Sequence, residues 1–332
     1  IPNSQRRSSD PALPQNKPGV YGGQAVIEGV MFAGKTVHVT AVRRKNNEID
    51  FFEVPRKEIR WVAVLKKIPF VRGLVAIIEA SAKGSQHLNF SAEAYAEDES
   101  GGKEAASESA AEKGKSGALS NLAMIFSVAV VGVLSFIAGK LIFTLVPVFV
   151  EDFLFGSAFD NQILHNLIEG LIKIVLLLVY MYAISQTPLI KRLFQYHGAE
   201  HKVISAYEAG LELTVENVQK FNTLHYRCGS SFIVFTVILG VIIYSFLQYD
   251  SIWERVIQRL LLLPAVIGVS YEALRVTNAL RNVPVLRMLG YPGLWLQYLT
   301  TKEPDNSQVE VAIASFKRML ELDSRNLGEM AR

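Results

Sequence analysis

The stretch from Ser230 to Tyr249, SSFIVFTVILGVIIYSFLQY, runs without a single charge. A helix rises 1.5 Å per residue, so such a run is long enough for the ~30 Å of a bilayer's hydrocarbon core. Three more apolar blocks flank it. Leu119 to Leu141 is one, and its apolar character continues to Val150 past Lys140 and Pro147. Leu167 to Ile184 is the second, carrying Glu169 and Lys173 one turn apart, where they can pair on one face. The third is Leu260 to Asn278, whose second half carries Glu272 and Arg275. The pattern predicts a mainly α, polytopic helical membrane protein with about four transmembrane helices, its membrane domain spanning 118–280.

Composition agrees. Half of the 332 residues are hydrophobic although a fifth are charged, so apolar blocks are set among polar ones. A net charge of +3, with no basic stripe interleaved with aromatics, excludes nucleic acid as a partner. Cys228 is the one cysteine, which excludes an intrachain disulfide. Orientation follows from the basic residues. The loop 142–165 has no Lys or Arg, whereas the loop 186–229 carries Lys191, Arg192, Lys202, Lys220 and Arg227. By the positive-inside rule that loop and both termini face the cytosol.

Outside the apolar blocks, residues 1–20 are polar and Pro-rich, with no signal-peptide core, and read as a disordered N-terminus. Residues 21–54 alternate in the strand manner around a turn at Lys45-Asn46-Asn47, predicting a small N-terminal cytosolic β unit. Residues 55–94 set Trp61, Leu65, Ile68, Phe70 and Leu74 against Lys66, Lys67 and Arg72. This predicts an amphipathic helical segment, kinked at Pro69 and lying on the bilayer surface. Residues 95–117 are rich in Ala, Glu, Ser, Gly and Lys and read as a flexible linker; 281–332 reads as a cytosolic C-terminal segment.

The chemistry sits in the loop 186–229. Pro188 and Gly210 bracket a helix over 189–209. On it His197 and His201 lie one turn apart, able to grip one metal ion, with Glu200 beside them able to take a proton from water at the ion. His-x-x-Glu-His is the arrangement of the inverted zinc peptidases. Glu208 falls near the same face as a further ligand. His225 and Cys228, just before the Ser230 to Tyr249 block, are additional candidates, with Arg227 between them. If the helices pack together, Glu272 and Arg275 reach the same level, although an ion pair between those two is an equally good account. Glu28, an acid in an apolar strand followed at once by Gly29, is a further candidate.

The stretches GGQAVIEGVMF (22–32), PFVRGLVAIIE (69–79), FQYHGAEHKVISAYEAG (194–210), LTVENVQKF (213–221), LHYRCGSSF (224–232) and TTKEPDNSQVEVAI (300–313) resemble the YqhQ-like bacterial membrane proteins. The resemblance runs from Gly22 to about Leu322, apart from the linker. It implies a multi-pass protein of a bacterial cell membrane and adds no substrate. Members are often labelled predicted metal-dependent enzymes, a label that rests on the same histidine motif. The leading expectation is a membrane-embedded metal-dependent hydrolase, with a divalent metal, zinc by its donor types, held by His197 and His201 and completed by Glu208, His225 or Cys228. Glu200 would be the general base. The other expectation is a non-catalytic scaffold or biogenesis factor that binds other membrane proteins and uses the cluster structurally. Three protein ligands would favour catalysis and four would favour structure.

Overall fold

The computed structural model describes residues 21–56, 60–100, 139, 141–281 and 283–330. It is mainly helical, with a four-stranded antiparallel sheet at the N-terminus. The strands β1 (Gly22–Val26), β2 (Gly29–Ala33), β3 (Val37–Arg43) and β4 (Ile49–Pro55) follow one another as a meander, so β1 and β4 are the edges. Two tight turns require left-handed backbone, at Glu28 (φ 52°) and Asn47 (φ 68°). Asn tolerates this well, whereas for Glu it is strained.

Helix α1 (Arg60–Leu65) and α2 (Val71–Glu99) follow, separated at the expected Pro69 kink, where Phe70 has φ 67°. Because α2 continues to Glu99, the segment expected to be linker from Tyr95 begins as helix; residues 101–117 lie outside the described residues. Residues 1–20 also lie outside them, as does the first expected span apart from its end. A helix over 141–155 (α3) comes next, followed by α4 (Gln162–Ser185), α5 (Pro188–Glu208) and α6 (Val215–Gln219). Then come α7 (Ser231–Tyr244), α8 (Ile252–Leu261), α9 (Leu263–Ala279), a 3-10 turn (Leu286–Gly290), α10 (Tyr291–Thr300) and α11 (Asn306–Met330).

The expected spans are only partly matched. Among the described residues, α4 is the one continuous helix long and apolar enough to cross a membrane, with mean hydropathy 2.2. The Ser230–Tyr249 run forms a helix of 14 residues, about 21 Å, and polar side chains bind the chain at its end and beyond it. Asn166 Nδ2 donates to Tyr244 O (3.0 Å) and Gln162 Nε2 to Tyr249 O (2.9 Å). The last expected span is a pair, α8 and α9, bent by 50° just before Pro264. A proline there has no N–H to continue the preceding helix.

Helix α8 buries its two arginines and exposes most of its large apolar residues. On α8, Arg255 and Arg259 are 1% exposed, while Trp253, Ile257 and Leu261 are 55–74% exposed. Arg255 Nη1 reaches Glu151 (2.7 Å) and Arg259 Nη2 reaches Glu169 (2.8 Å), with His165 Nδ1 also on Glu151 (2.5 Å). Glu169 therefore serves α8, as the anchor of a buried network across α3, α4 and α8.

The sheet is covered on both faces. Val26, Met31 and Val42 pack on Ala94 and Phe90 of α2. The other face builds the main core, where Val30, Phe32 and Val39 meet Tyr196, Ala199 and Val203 of α5. Val309, Ala312, Phe316 and Met319 of α11 complete it. Phe316 stacks edge-on against Phe32 at 4.9 Å, and Asp323 accepts from the Lys35 and Thr36 amides (2.6 and 2.7 Å). The C-terminal segment is thus part of the same unit as the N-terminal sheet, held by apolar residues at helical spacing on α11.

Under α2 two imidazoles are buried, His38 and His87, with ring centroids 6.1 Å apart. His87 Nδ1 pairs with Thr40 Oγ1 (2.6 Å). Burial, above all, pushes both down to about 4, with Lys83 adding to the effect at His38. An unfolded His titrates near ~6.5. Stability from this pair is therefore fully present above that value and is lost as pH falls toward 4, since the unfolded chain binds protons first. Thermal unfolding in detergent should show a midpoint that drops between about pH 7 and 4.5. The double variant His38→Gln/His87→Gln should flatten that slope, and an unchanged slope contradicts this account.

Candidate metal centre

Helix α5 begins with Pro188 in its first turn after Thr187, and its His197 and His201 stand one turn apart with ring centroids at 4.5 Å. Both rings are oriented by backbone carbonyls. His197 Nδ1–H donates to Thr300 O (2.8 Å), and His201 Nδ1–H donates to Thr223 O (2.5 Å). A carbonyl only accepts, so each Nδ1 must carry the proton and each Nε2 keeps its lone pair. Burial pushes the pKa of His201 down.

The third donor is Cys228. Its Sγ lies 3.2 Å from His197 Nε2 and 3.0 Å from Ser230 Oγ. Ligand atoms of His197, His201 and Cys228 all fall within 4.8 Å of one another. Around a tetrahedral zinc, an imidazole nitrogen and a thiolate sulfur sit about 3.5 Å apart. The donor types, tautomers and spacing fit a divalent metal with three protein ligands.

Two close approaches put these groups together. A Cβ at Gly198 would lie 2.1 Å from Lys302 O, so the missing side chain lets the segment after α10 lie against α5. Lys302 N then donates to Phe194 O (2.9 Å), and Thr300 O is delivered to His197. Second, a Cβ at Gly23 would lie 3.0 Å from the Glu200 side chain. The Gly23 backbone N–H donates to the Glu200 carboxylate. Glu200 is buried, and burial raises its pKa to about 7 against the lowering effects of His197 and the Gly23 N–H. A carboxyl so placed exchanges protons near neutrality.

The other sequence candidates are placed elsewhere. Glu208, expected as a ligand, is taken by Arg227, with His225 Nε2 at 3.9 Å on its other oxygen. Against the raising effect of burial, the hydrogen bonds from His225 and Arg227 and the Arg227 charge hold Glu208 down to about 2. Seven residues is close to two turns, so Glu208 keeps the same face but stands about 10 Å further along the helix, beside the 225–227 loop rather than at the two histidines. His225 lines the cavity beside the triad, its ring 5.6 Å from that of His201, without joining the three donors. Glu272 and Arg275 do not line this cavity. Glu272 is engaged by Arg72 of α2 (Nε, 2.6 Å), because α9 packs on α2. Arg275 is exposed. Glu28 binds Arg192 (Nε, 2.5 Å) and Tyr196 (3.3 Å), tying the β1–β2 turn to α5.

Sequence reasoning missed Gln297. It is fully buried, donates to His225 O and accepts from His225 N (both 2.8 Å), and so fixes the loop that presents Cys228. A lone Gln inside the apolar run of α10 is the only signal for it. A cavity of about 310 Å³ opens over the triad, bounded by Gly22–Ala25 of β1, Glu200, Arg227 and Ser230.

A family model described as a protein of unknown function, DUF1385, matches residues 68–322. The chain belongs to the DUF1385 family. Within reach of that family it is similar to the uncharacterized protein YqhQ of Bacillus subtilis (strain 168), at 55% identity over 307 residues, covering 92% of this chain and 94% of the relative. No solved structure matches it. The HxxEH helix and the Cys228 loop both lie inside the DUF1385 match.

Elemental analysis of purified protein from metal-replete cells should find about one metal per chain by this donor count. His197→Ala, His201→Ala and Cys228→Ala should each lose most of it. Glu208→Gln should retain it; loss there would return Glu208 to the ligand set.

Proposed function

We propose that this chain is a metal-dependent hydrolase embedded in a bacterial cell membrane, with its site at the cytosolic face. The observation that carries the proposal is the count of donors. Three protein donors meet beneath an open cavity, with a buried carboxylate beside them, and a catalytic zinc needs that openness where a structural one is closed by four. A zinc ion held by His197, His201 and Cys228 would supply Lewis acidity at the substrate's carbonyl or phosphoryl oxygen.

Glu200 takes the proton of the attacking water and returns it to the leaving group, so one water is consumed and the carboxyl ends as it began. The Gly23 N–H fixes the orientation of that carboxylate. Thr300 and Thr223 hold the two imidazoles, and Gln297 holds the 225–228 loop. These are rigid backbone contacts, suited to a site that must not rearrange during turnover.

Membrane embedding is supported by the inverted burial of α4 and α8, where Glu169, Arg255 and Arg259 are buried while Leu167, Leu171, Val175, Trp253, Ile257 and Leu261 are exposed. Water rewards the opposite arrangement, and lipid rewards this one. The bilayer is then the principal partner, with α1, α2 and the exposed Val285, Met288 and Trp295 at its surface. The four-span topology rests on the basic-loop asymmetry, which puts both termini in the cytoplasm.

A cytosol-active reporter fused after Gln186 should be active, and one fused near Asp160 should be silent. The reverse pattern would move the site outside and end this reading. For chemistry, Glu200→Gln keeps size and hydrogen bonding but cannot take a proton. It should retain metal while failing to complement a deletion strain, with a rate loss of about 10²–10⁴-fold. Full complementation by Glu200→Gln would leave the cluster as a structural or partner-binding element of a scaffold.

A further inference from the structure

The hydrolase reading leaves the substrate open, and the geometry of β1 narrows it. β1 pairs only with β2, so its other edge carries backbone groups with no strand beside them. That edge is a wall of the cavity, since Gly22, Gly23, Gln24 and Ala25 line it together with His197, Glu200 and Cys228.

Which groups face the cavity can be worked out. In a strand, a residue's N–H and C=O point to the same side, and the side alternates along the chain. The Gly23 N–H donates to Glu200 on α5, away from β2. Gly23 and Ala25 therefore direct their backbone groups to the open edge, and Gly22, Gln24 and Val26 direct theirs to β2. Gly22 and Gly23 are exposed and line the cavity, so this end of the edge opens into it. β1 itself carries no charge, proline or bulge that would discourage pairing, and α5 packs beside it.

We propose that the substrate is an extended polypeptide, bound as a fifth strand on the free edge of β1. This rests on the hydrolase reading of the same site. The Ala25 N–H and C=O exchange hydrogen bonds with one residue of the added strand, and Gly23 C=O accepts from the next residue but one. Because the Gly23 N–H is already on Glu200, a chain paired this way runs directly over that carboxyl and past the adjacent His201. Strand addition reads backbone, so side-chain selection would be modest and the substrate must be locally unfolded. The water adds to the amide carbon, the C–N bond breaks, and Glu200 carries the proton from the water to the departing amine.

The test uses full-length, zinc-loaded Glu200→Gln protein in detergent, with β-casein as an unfolded polypeptide probe. Hydrogen exchange should slow at residues 22–26 when β-casein is added. Ala25→Pro removes the edge N–H while leaving the β2-facing groups intact, a position where a strand accepts proline. It should weaken β-casein binding at least about 10-fold, as loss of one edge pair implies, with metal content and thermal midpoint unchanged. No β-casein binding, no slowing in β1, or equal binding by Ala25→Pro overturns the proposal. So does slowing in β1 caused by anionic phospholipid nanodiscs and not by β-casein, which would point to a lipid headgroup. If Ala25→Pro lowers the thermal midpoint, the exchange result on the Glu200→Gln protein decides alone. A protein with Glu200 intact that binds β-casein through β1 but never cleaves it would sink the hydrolase reading and leave strand addition standing. Cleavage with a KM unchanged by Ala25→Pro would do the opposite.

Discussion

Helix α5 is approached closely at two places. At Gly198 the Lys302 carbonyl occupies the space of a Cβ, and at Gly23 the β1 backbone lies against the Glu200 side chain. The first contact requires glycine, the second is a tight one, and the arrangement of the site depends on both. The first brings Thr300 O to His197, and the second brings a backbone N–H to Glu200. With Thr223 O on His201, three separate parts of the chain converge on one helical turn. A buried ligand set of this kind is costly unless every polar atom has a partner, and here backbone groups provide them.

The molecule combines two opposite patterns of burial. Around the sheet, apolar residues of β2, β3, α5 and α11 are buried in the ordinary way. Around α3, α4 and α8 the charges are inside, with Arg255 and Arg259 between Glu151 and Glu169. A buried network of this kind gives little net stability in a soluble core, but in lipid the exposed alternative is far worse. The candidate centre lies where the two regimes meet, since α5 follows α4 after a short turn and the Cys228 loop leads directly into α7.

Much of this was legible in the sequence, for physical reasons that can be named. The β meander could be read because alternation has a period of two and Asn46-Asn47 marks a turn. The His197/Glu200/His201 helix could be read because i,i+4 spacing needs no tertiary knowledge. What could not be read was set by contacts remote in sequence. Glu208 looked like a ligand until Arg227 was seen to hold it, and Glu272 looked near the site until α9 was seen to pack on α2. The length of the helix after Ser230 misled because hydropathy ignores Asn166 and Gln162, which bind the chain where that helix stops. The sharing of one core by the N-terminal sheet and α11 left no local mark beyond amphipathic spacing.

The central claim is an open three-donor metal centre on α5 and the Cys228 loop. X-ray absorption at the zinc edge of the purified, zinc-loaded protein tests it most directly. The account predicts two imidazole nitrogens near ~2.0 Å, one sulfur near ~2.3 Å and one light, exchangeable ligand. A shell without sulfur, a fourth protein donor, or no stoichiometric metal at all would contradict it.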